Sequence, residues 1–129
     1  MEVNVTLEVD VFKKMAGVFV VAPVGPINSE TATILEKQIE SLLETSPSEL
    51  VLNMQEVGYI SSAGVRIIYS TKKRLMGSGG DLILVDLQPA VRKVFEVINA
   101  LPVFKIFSNL AELDAYLDTL QRRVGDSPG

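Results

Sequence analysis

Two adjacent serines, Ser61 and Ser62, are the residues of this chain best placed to do chemistry. They stand in the stretch "GYISSAGVRII", residues 58–68, between an apolar run and a segment whose apolar residues have helical spacing. A serine hydroxyl becomes a nucleophile when a histidine removes its proton, but the chain contains no His. It also contains no Cys, so thiolate nucleophiles, disulfides and Cys/His zinc sites are excluded. Catalysis would have to rest on carboxylates, Lys or Tyr. These absences count against an enzyme, and we expect a protein that is not an enzyme and has neither a metal nor a cofactor.

A serine before a helix commonly caps it, because its hydroxyl accepts a hydrogen bond from an unpaired backbone N–H. Either Ser61 or Ser62 fits that role. The residues three positions later are Gly64 and Val65, so no acid completes a capping box. Ala63 and Gly64 keep the first turn small enough for another molecule to approach. A hydroxyl at an uncharged helix N-terminus also suits an added phosphate.

Length and composition indicate one globular domain. The chain has 129 residues, of which 47% are hydrophobic and 22% are charged. A net charge of −4 with scattered basic residues disfavours nucleic acid as a partner. The longest apolar run, residues 18–24, is far shorter than the about 20 residues that a membrane span needs. No basic and apolar leader is recognisable, so we expect no membrane insertion and a cytoplasmic location.

The apolar pattern predicts the element order β-β-α-β-α-β-α-β-α. Strands are expected at residues 3–12, 18–24, 50–54, 82–85 and 104–107. Helices should follow Thr31, Ser62 and Asn109, and another should begin at Pro89 with Val94 and Ile98 on its buried side.

This order is typical of an α/β domain with a mostly parallel sheet of four or five strands and about four helices. The first strand, joined to the second by a turn at residues 13–17, should run antiparallel at or near an edge. The uninterrupted runs 18–24 and 50–54 should be the most buried strands. Residues 1–123 would form the domain and residues 124–129 a flexible tail.

The loops that leave the second and third strands should meet at one end of the sheet, where parallel α/β domains bind their ligands. Asn28 and Ser29 lie in the first of these loops, and Ser61 and Ser62 lie in the second. Arg66 stands in the first turn of the following helix, where the helix dipole disfavours a cation. This position suggests that Arg66 faces a partner or a phosphate.

Three stretches together resemble one known family, the STAS domain, and within it the bacterial anti-sigma factor antagonists. They are "VAPVGPINSETATILEKQI", "VLNMQEVGYISSAGVRIIY" and "GGDLILVDLQPAVRKVFEVINALPVFKIF". The resemblance covers residues 5–120. It implies a serine that is phosphorylated by an anti-sigma factor acting as a serine kinase, and dephosphorylated by a phosphatase. It also implies that the unphosphorylated form binds the anti-sigma factor and frees a sigma factor.

Matching the motif residue by residue puts the phosphoacceptor on Ser62, with Ser61 as the alternative. The partner-binding residues implied by this match are Asn28, Ser29, Ser61, Ser62, Gly64 and Arg66. The chain differs from the family at Ser61 and Asn28, where the family often has Asp, and at Ala100, which takes the place of a Gly.

Two other functions are compatible with the same motif. One is a constitutive STAS scaffold in a stress-signalling or lipid- or anion-transport complex, with Ser62 serving only as a cap. The other is a STAS domain that binds a nucleotide or another small ligand. The sequence leaves the oligomeric state open between a monomer and a weak dimer.

Overall fold

The computed structural model describes residues 7–126, apart from the side chains of residue 121 and residues 123–126. This part of the chain forms five strands, four α-helices and one short 3₁₀ turn. In chain order these are β1 (Glu8–Met15), β2 (Val18–Val24), α1 (Ala32–Leu43), β3 (Glu49–Asn53), α2 (Ser62–Gly77), β4 (Asp81–Val85), α3 (Pro89–Val97), the 3₁₀ turn (Leu101–Val103), β5 (Lys105–Phe107) and α4 (Leu110–Asp126).

The five strands form one sheet in the order β1-β2-β3-β4-β5. β1 pairs antiparallel with β2, and every other pair is parallel. The predicted fold class is thus confirmed, including the antiparallel first strand at the edge. Because the strands are laid down one beside the next, crossovers of a single hand place their helices on the same face.

The sheet separates two hydrophobic cores of unequal size. The larger core packs α1, α2 and α3 against one face, with Leu35, Ile68 and Phe95 as their fully buried anchors. The smaller core packs α4 against the other face through Leu113 and Leu117. Three helices therefore stabilise the face that carries the serine loop, and a single helix covers the opposite face.

The two strands predicted to be most buried both lie inside the sheet, as expected. β3 has four consecutive buried residues, and β2 has four buried residues out of seven. β4 is as buried as β3, with residues 82–85 all buried. β4 has the same length as β3, and its apolar run is equally uninterrupted because helices cover it on both faces.

The first strand and its turn differ from the prediction. β1 continues to Met15, and the turn is confined to Ala16 and Gly17. A bulge between Lys13 and Met15 shifts the register, and Met15 packs against the smaller core. The apolar side chain thus keeps the strand paired through the two lysines that suggested a turn.

The predicted ends of the domain can be compared with the structure only within residues 7–126. The start of the predicted first strand, residues 3–6, lies outside them. At the other end, α4 continues to Asp126, past the expected boundary at residue 124. Residues 127–129 of the predicted tail lie outside the described part.

The end of α3 corrects one prediction. The helix stops at Val97, and Ile98 is 51% exposed rather than buried. Asn99 then takes the left-handed conformation, with φ of 57°, and the backbone N–H groups of Asn99 and Ala100 donate to the carbonyls of Glu96 and Phe95. The position that favours glycine is therefore Asn99, and Ala100 needs no glycine.

Candidate functional site

The loops after β2 and β3 are joined by backbone hydrogen bonds beyond the end of the sheet. The N–H of Ile27 donates to the carbonyl of Tyr59 at 2.9 Å, and the N–H of Ser61 donates to the carbonyl of Ile27 at 2.8 Å. Ile27 and Ile60 form an isolated parallel bridge, and both are buried. This pairing fixes Asn28 and Ser61 at the same end of the sheet.

The two serines at this end have different environments. Ser61 is the N-cap of α2: its backbone is extended, and its hydroxyl accepts a hydrogen bond from the N–H of Gly64 at 3.3 Å. Ser62 is the first helical residue and is exposed. Within residues 7–126 no hydrogen bond engages the Ser62 hydroxyl. The cap therefore occupies one hydroxyl and leaves the other accessible.

Gly64 has an internal role that the sequence did not indicate. It is buried, and a Cβ at this position would lie 2.7 Å from Ile27 Cγ2 and 2.7 Å from Ile60 Cγ1. The missing side chain lets the first turn of α2 pack directly on the paired loops. It does not open the turn to a second molecule, so Gly64 contributes to a binding surface only by positioning its neighbours.

Asn28 fixes the other loop through its side-chain oxygen. Oδ1 accepts hydrogen bonds from the N–H groups of Glu30 and Thr31, both at 2.9 Å. The buried Thr31 hydroxyl donates to the carbonyl of Pro26 and accepts from the N–H of Asn28. An aspartate would offer the same acceptor, so the asparagine preserves this turn. Ser29 is exposed beside it.

An open groove of about 330 Å³ runs from Ser62 along α2 and α3. It is lined by Ser62, Val65, Arg66, Tyr69, Val94 and Ile98. We name it the α2–α3 groove. Its walls are apolar apart from Ser62, Arg66 and the tyrosine hydroxyl. Sequence reasoning missed this groove because Val94 and Ile98 were assigned to the core.

Arg66 stands one helical turn after Ser62, and both residues line the groove. Its side chain is exposed, and it makes no ion pair with a carboxylate in residues 7–126. The guanidinium is therefore able to bind an anionic group next to Ser62.

A second cluster of titratable groups lies at the opposite end of the sheet. Glu49 and Asp81 begin neighbouring strands, and Lys72 Nζ contacts Asp81 Oδ1 at 2.8 Å. Lys105 Nζ donates to the Tyr116 hydroxyl at 2.7 Å, and Tyr116 lies 3.4 Å from Glu49 Oε1.

Burial raises the pKa of the Glu49 carboxyl above its ordinary value, although Lys105 opposes the shift. Burial also acts to raise the pKa of Asp81, but hydrogen bonds from Lys72 and from the N–H of Leu82 outweigh it, and the pKa is lowered. The cluster thus joins α4 to the sheet and lies away from the serines.

The described residues offer no group of three or more His, Cys, Asp or Glu side chains that could hold a metal ion. Asp81 and Asp86 lie at opposite ends of β4, so they do not form a shared acid site. Across residues 7–126 no helix has the length and the apolar character that a membrane crossing requires.

Comparison with known proteins identifies the family to which this architecture belongs. Residues 11–113 match the model of the STAS domain. BtrV from Bordetella bronchiseptica, assigned the role of anti-sigma factor antagonist, is 33% identical over 93 residues, which are 72% of this chain and 80% of BtrV.

Two solved structures have the same fold. An anti-sigma factor antagonist from Mycobacterium paratuberculosis superposes with a TM-score of 0.77 at 27% identity, covering 89% of this chain and 97% of that protein. The antagonist SpoIIAA of Bacillus, in its unphosphorylated form, has a TM-score of 0.74 at 17% identity, covering 86% and 97%.

Proposed function

The chain belongs to the STAS domain family, and we propose that it is an anti-sigma factor antagonist whose binding is switched by phosphorylation of Ser62. The observation that carries this proposal is the difference between the environments of the two serines. Ser61 caps α2, whereas Ser62 presents an exposed hydroxyl on the first helical residue. Relatives that bear the name of anti-sigma factor antagonists, BtrV among them, support the general role.

In the unphosphorylated state, Ser62 would present an uncharged hydroxyl at the centre of the contact surface. The anti-sigma factor would bind there, and the sigma factor that it holds would be released. Asn28, Ser29 and Arg66 surround this point and would contribute contacts from the paired loops and from the first turns of α2. Ser61 and Gly64 would hold the surface in place.

Phosphorylation would add a charge of roughly −1.5 to −2 and three acceptor oxygens at Ser62. The positive end of the helix dipole favours an anion there by about 0.3–1 kcal/mol, so the fold should tolerate the modification. The complex should not, because the dianion would have to lose its water against a surface shaped for a small hydroxyl. The switch would therefore act on binding and leave stability nearly unchanged.

The chain lacks a histidine that could activate Ser62. The resemblance to the anti-sigma factor antagonists implies that the anti-sigma factor would itself be the serine kinase and would supply the catalytic base and the nucleotide. A separate phosphatase would return Ser62 to its binding form. Exposure of the hydroxyl is a requirement for both enzymes.

The test compares Ser62 with Ser41, an exposed serine on α1. Ser62→Asp should abolish binding to the anti-sigma factor and keep the melting temperature of the wild type. Ser41→Asp, the matched control, should bind. Ser62→Ala should bind but take up no phosphate from ATP in the presence of the partner.

Each failure has a distinct meaning. If Ser62→Ala is phosphorylated as well as the wild type, the acceptor is another residue, and Ser61 is the first to test. If the partner transfers no phosphate and Ser62→Asp binds normally, the protein is a constitutive scaffold.

A further inference from the structure

Helices α2 and α3 carry a charge opposite to that of the rest of the molecule. They contain six of the twelve basic residues and one of the sixteen acidic residues, a net charge of +5 in a chain of net charge −4. The remaining residues therefore sum to −9. Sequence composition conceals this segregation, because the two helices are separated along the chain and meet only in the fold.

Three of these six basic side chains are already paired. Lys72 contacts Asp81 at 2.8 Å, Arg92 contacts Glu96 at 3.7 Å, and Arg74 lies 4.0 Å from Glu40.

The other three, Arg66, Lys73 and Lys93, are exposed and have no carboxylate partner within residues 7–126. Half of the basic side chains of these helices are thus available to an incoming anionic surface.

The same two helices expose the apolar α2–α3 groove. Tyr69 and Ile98 line the groove together with Val65 and Val94. The Tyr69 residue is 44% exposed and the Ile98 residue is 51% exposed. Lys73 Nζ lies 5.9 Å from the centre of the Tyr69 ring, and Arg66 borders the groove on the same helix. At about 330 Å³ the groove is at the small end of the range for binding pockets, which suits apolar side chains of a docking segment.

We propose that α2 and α3 dock an acidic amphipathic segment of the anti-sigma factor, with an apolar side chain in the α2–α3 groove and a carboxylate on Arg66. The identity of the partner rests on the proposed function, whereas the chemistry of the segment follows from the charges and the groove. A nucleic acid fits less well, since the three exposed cations of these helices accompany an apolar groove and the rest of the molecule repels phosphates. An anionic membrane is disfavoured by the same surrounding charge.

This docking arrangement gives the switch a second component. Ser62 and Arg66 are four residues apart on one helix, which places their side chains on the same face. A phosphate on Ser62 would lie next to the guanidinium and form a charge-assisted hydrogen bond with it. The carboxylate of the docked segment would then lose its cation, in addition to facing the new negative charge.

A photo-crosslinking experiment tests the docking site and identifies the partner at the same time. The photoreactive residue p-benzoylphenylalanine replaces Ile98 in the full chain, and the matched control carries it at Val97, which is 70% exposed but does not line the groove. After irradiation in the cells that supply the gene, mass spectrometry sequences the attached peptide. We expect the Ile98 position, and not the Val97 position, to capture a segment rich in Asp or Glu and apolar residues.

The outcomes separate this inference from the proposed function. An acidic segment from a protein other than an anti-sigma factor would support the docking site and overturn the proposed function. An anti-sigma factor that crosslinks equally at Val97, or through a segment without acids, would support the function and overturn the docking site. Crosslinks to nucleic acid or lipid, or no product at either position, would also overturn it.

Charge-reversal variants test the docking site quantitatively, because their affinity for the captured protein can be measured. Arg66→Glu should weaken its binding by at least about tenfold. Lys37→Glu, the same change at an exposed position of α1, should leave the affinity within about twofold. If the two reversals weaken binding equally, the affinity depends only on the net charge of the chain. That result would refute the proposal that Arg66 binds a carboxylate of the docked segment.

Discussion

Replacing Gly64 by alanine tests whether the tight packing of α2 on the paired loops holds the serine loop in place. The new Cβ would lie 2.7 Å from both Ile27 Cγ2 and Ile60 Cγ1. Ordinary carbon–carbon contacts lie at about 3.5–4.0 Å, so at least one partner must move by most of an ångström. Both isoleucines are buried, and the first contact is a methyl branch on Cβ that cannot swing away without a rotamer change.

Two opposing terms set the size of the effect. Overpacking a well-filled core costs about 1–3 kcal/mol. Alanine in place of glycine within a helix contributes up to about 1 kcal/mol in the other direction. Gly77, the last residue of the same helix, supplies the matched control, because a Cβ there has no atom within 4 Å. The difference between the two variants cancels much of the helix-propensity term and leaves a steric cost of about 1–3 kcal/mol.

Equilibrium urea unfolding of the two variants and the wild type measures both free energies. We expect Gly64→Ala to be less stable than the wild type and Gly77→Ala to be equal or slightly more stable. Amide exchange at residues 61–66 should also rise in the first variant, because the first turn of α2 must shift outward. If Gly64→Ala matches Gly77→Ala in stability, the close approach of the helix to the loops is not a constraint, and the argument about Gly64 fails.

Three further predictions concern other parts of the fold. Burial raises the pKa of Glu49 above its ordinary value, so ionising this carboxyl destabilises the folded state, and the stability that Glu49 contributes should be lost as the pH rises through the raised pKa. Glu49→Gln should lose less over the same interval in urea unfolding at a series of pH values, and parallel profiles would contradict the assignment. Asn99→Ala should lower the free energy of unfolding by about 1–2 kcal/mol because of its left-handed backbone, whereas Asn99→Gly should not. Asn28→Ala should lose about 1–2 kcal/mol with the hydrogen bonds to its loop, Asn28→Asp should lose less, and equal melting temperatures for these two variants would refute the role of Oδ1.

The fold could be predicted because its strongest signals are local. The uninterrupted apolar runs of β2, β3 and β4 indicate strands covered on both faces, and such strands alternate with helical periodicity in this chain. The short turn between the first two strands indicated an antiparallel strand at or near the edge. Errors occurred where a single side chain decided the outcome, as at Met15, whose packing keeps the strand paired past two lysines.

The candidate site was predictable in position and not in detail. Its location follows from the end of the sheet at which parallel strands lead into helices. The reason for Gly64 and the existence of the α2–α3 groove depend on how α2 sits against Ile27 and α3, which no periodicity records.

Under the proposed switch, the different environments of the two serines would let the chain differ from its family at Ser61 and still cap α2. Aspartate and serine are comparable N-caps, since each offers an oxygen to the N–H groups of the first turn. Ser61 meets that requirement with its bond to Gly64, and its own N–H is held by Ile27. Phosphorylating Ser61 would disturb this cap at a half-buried position, whereas Ser62 has no such bond to lose. The geometry of one helix end thus makes two chemically identical hydroxyls unequal, and the proposed acceptor is the exposed one.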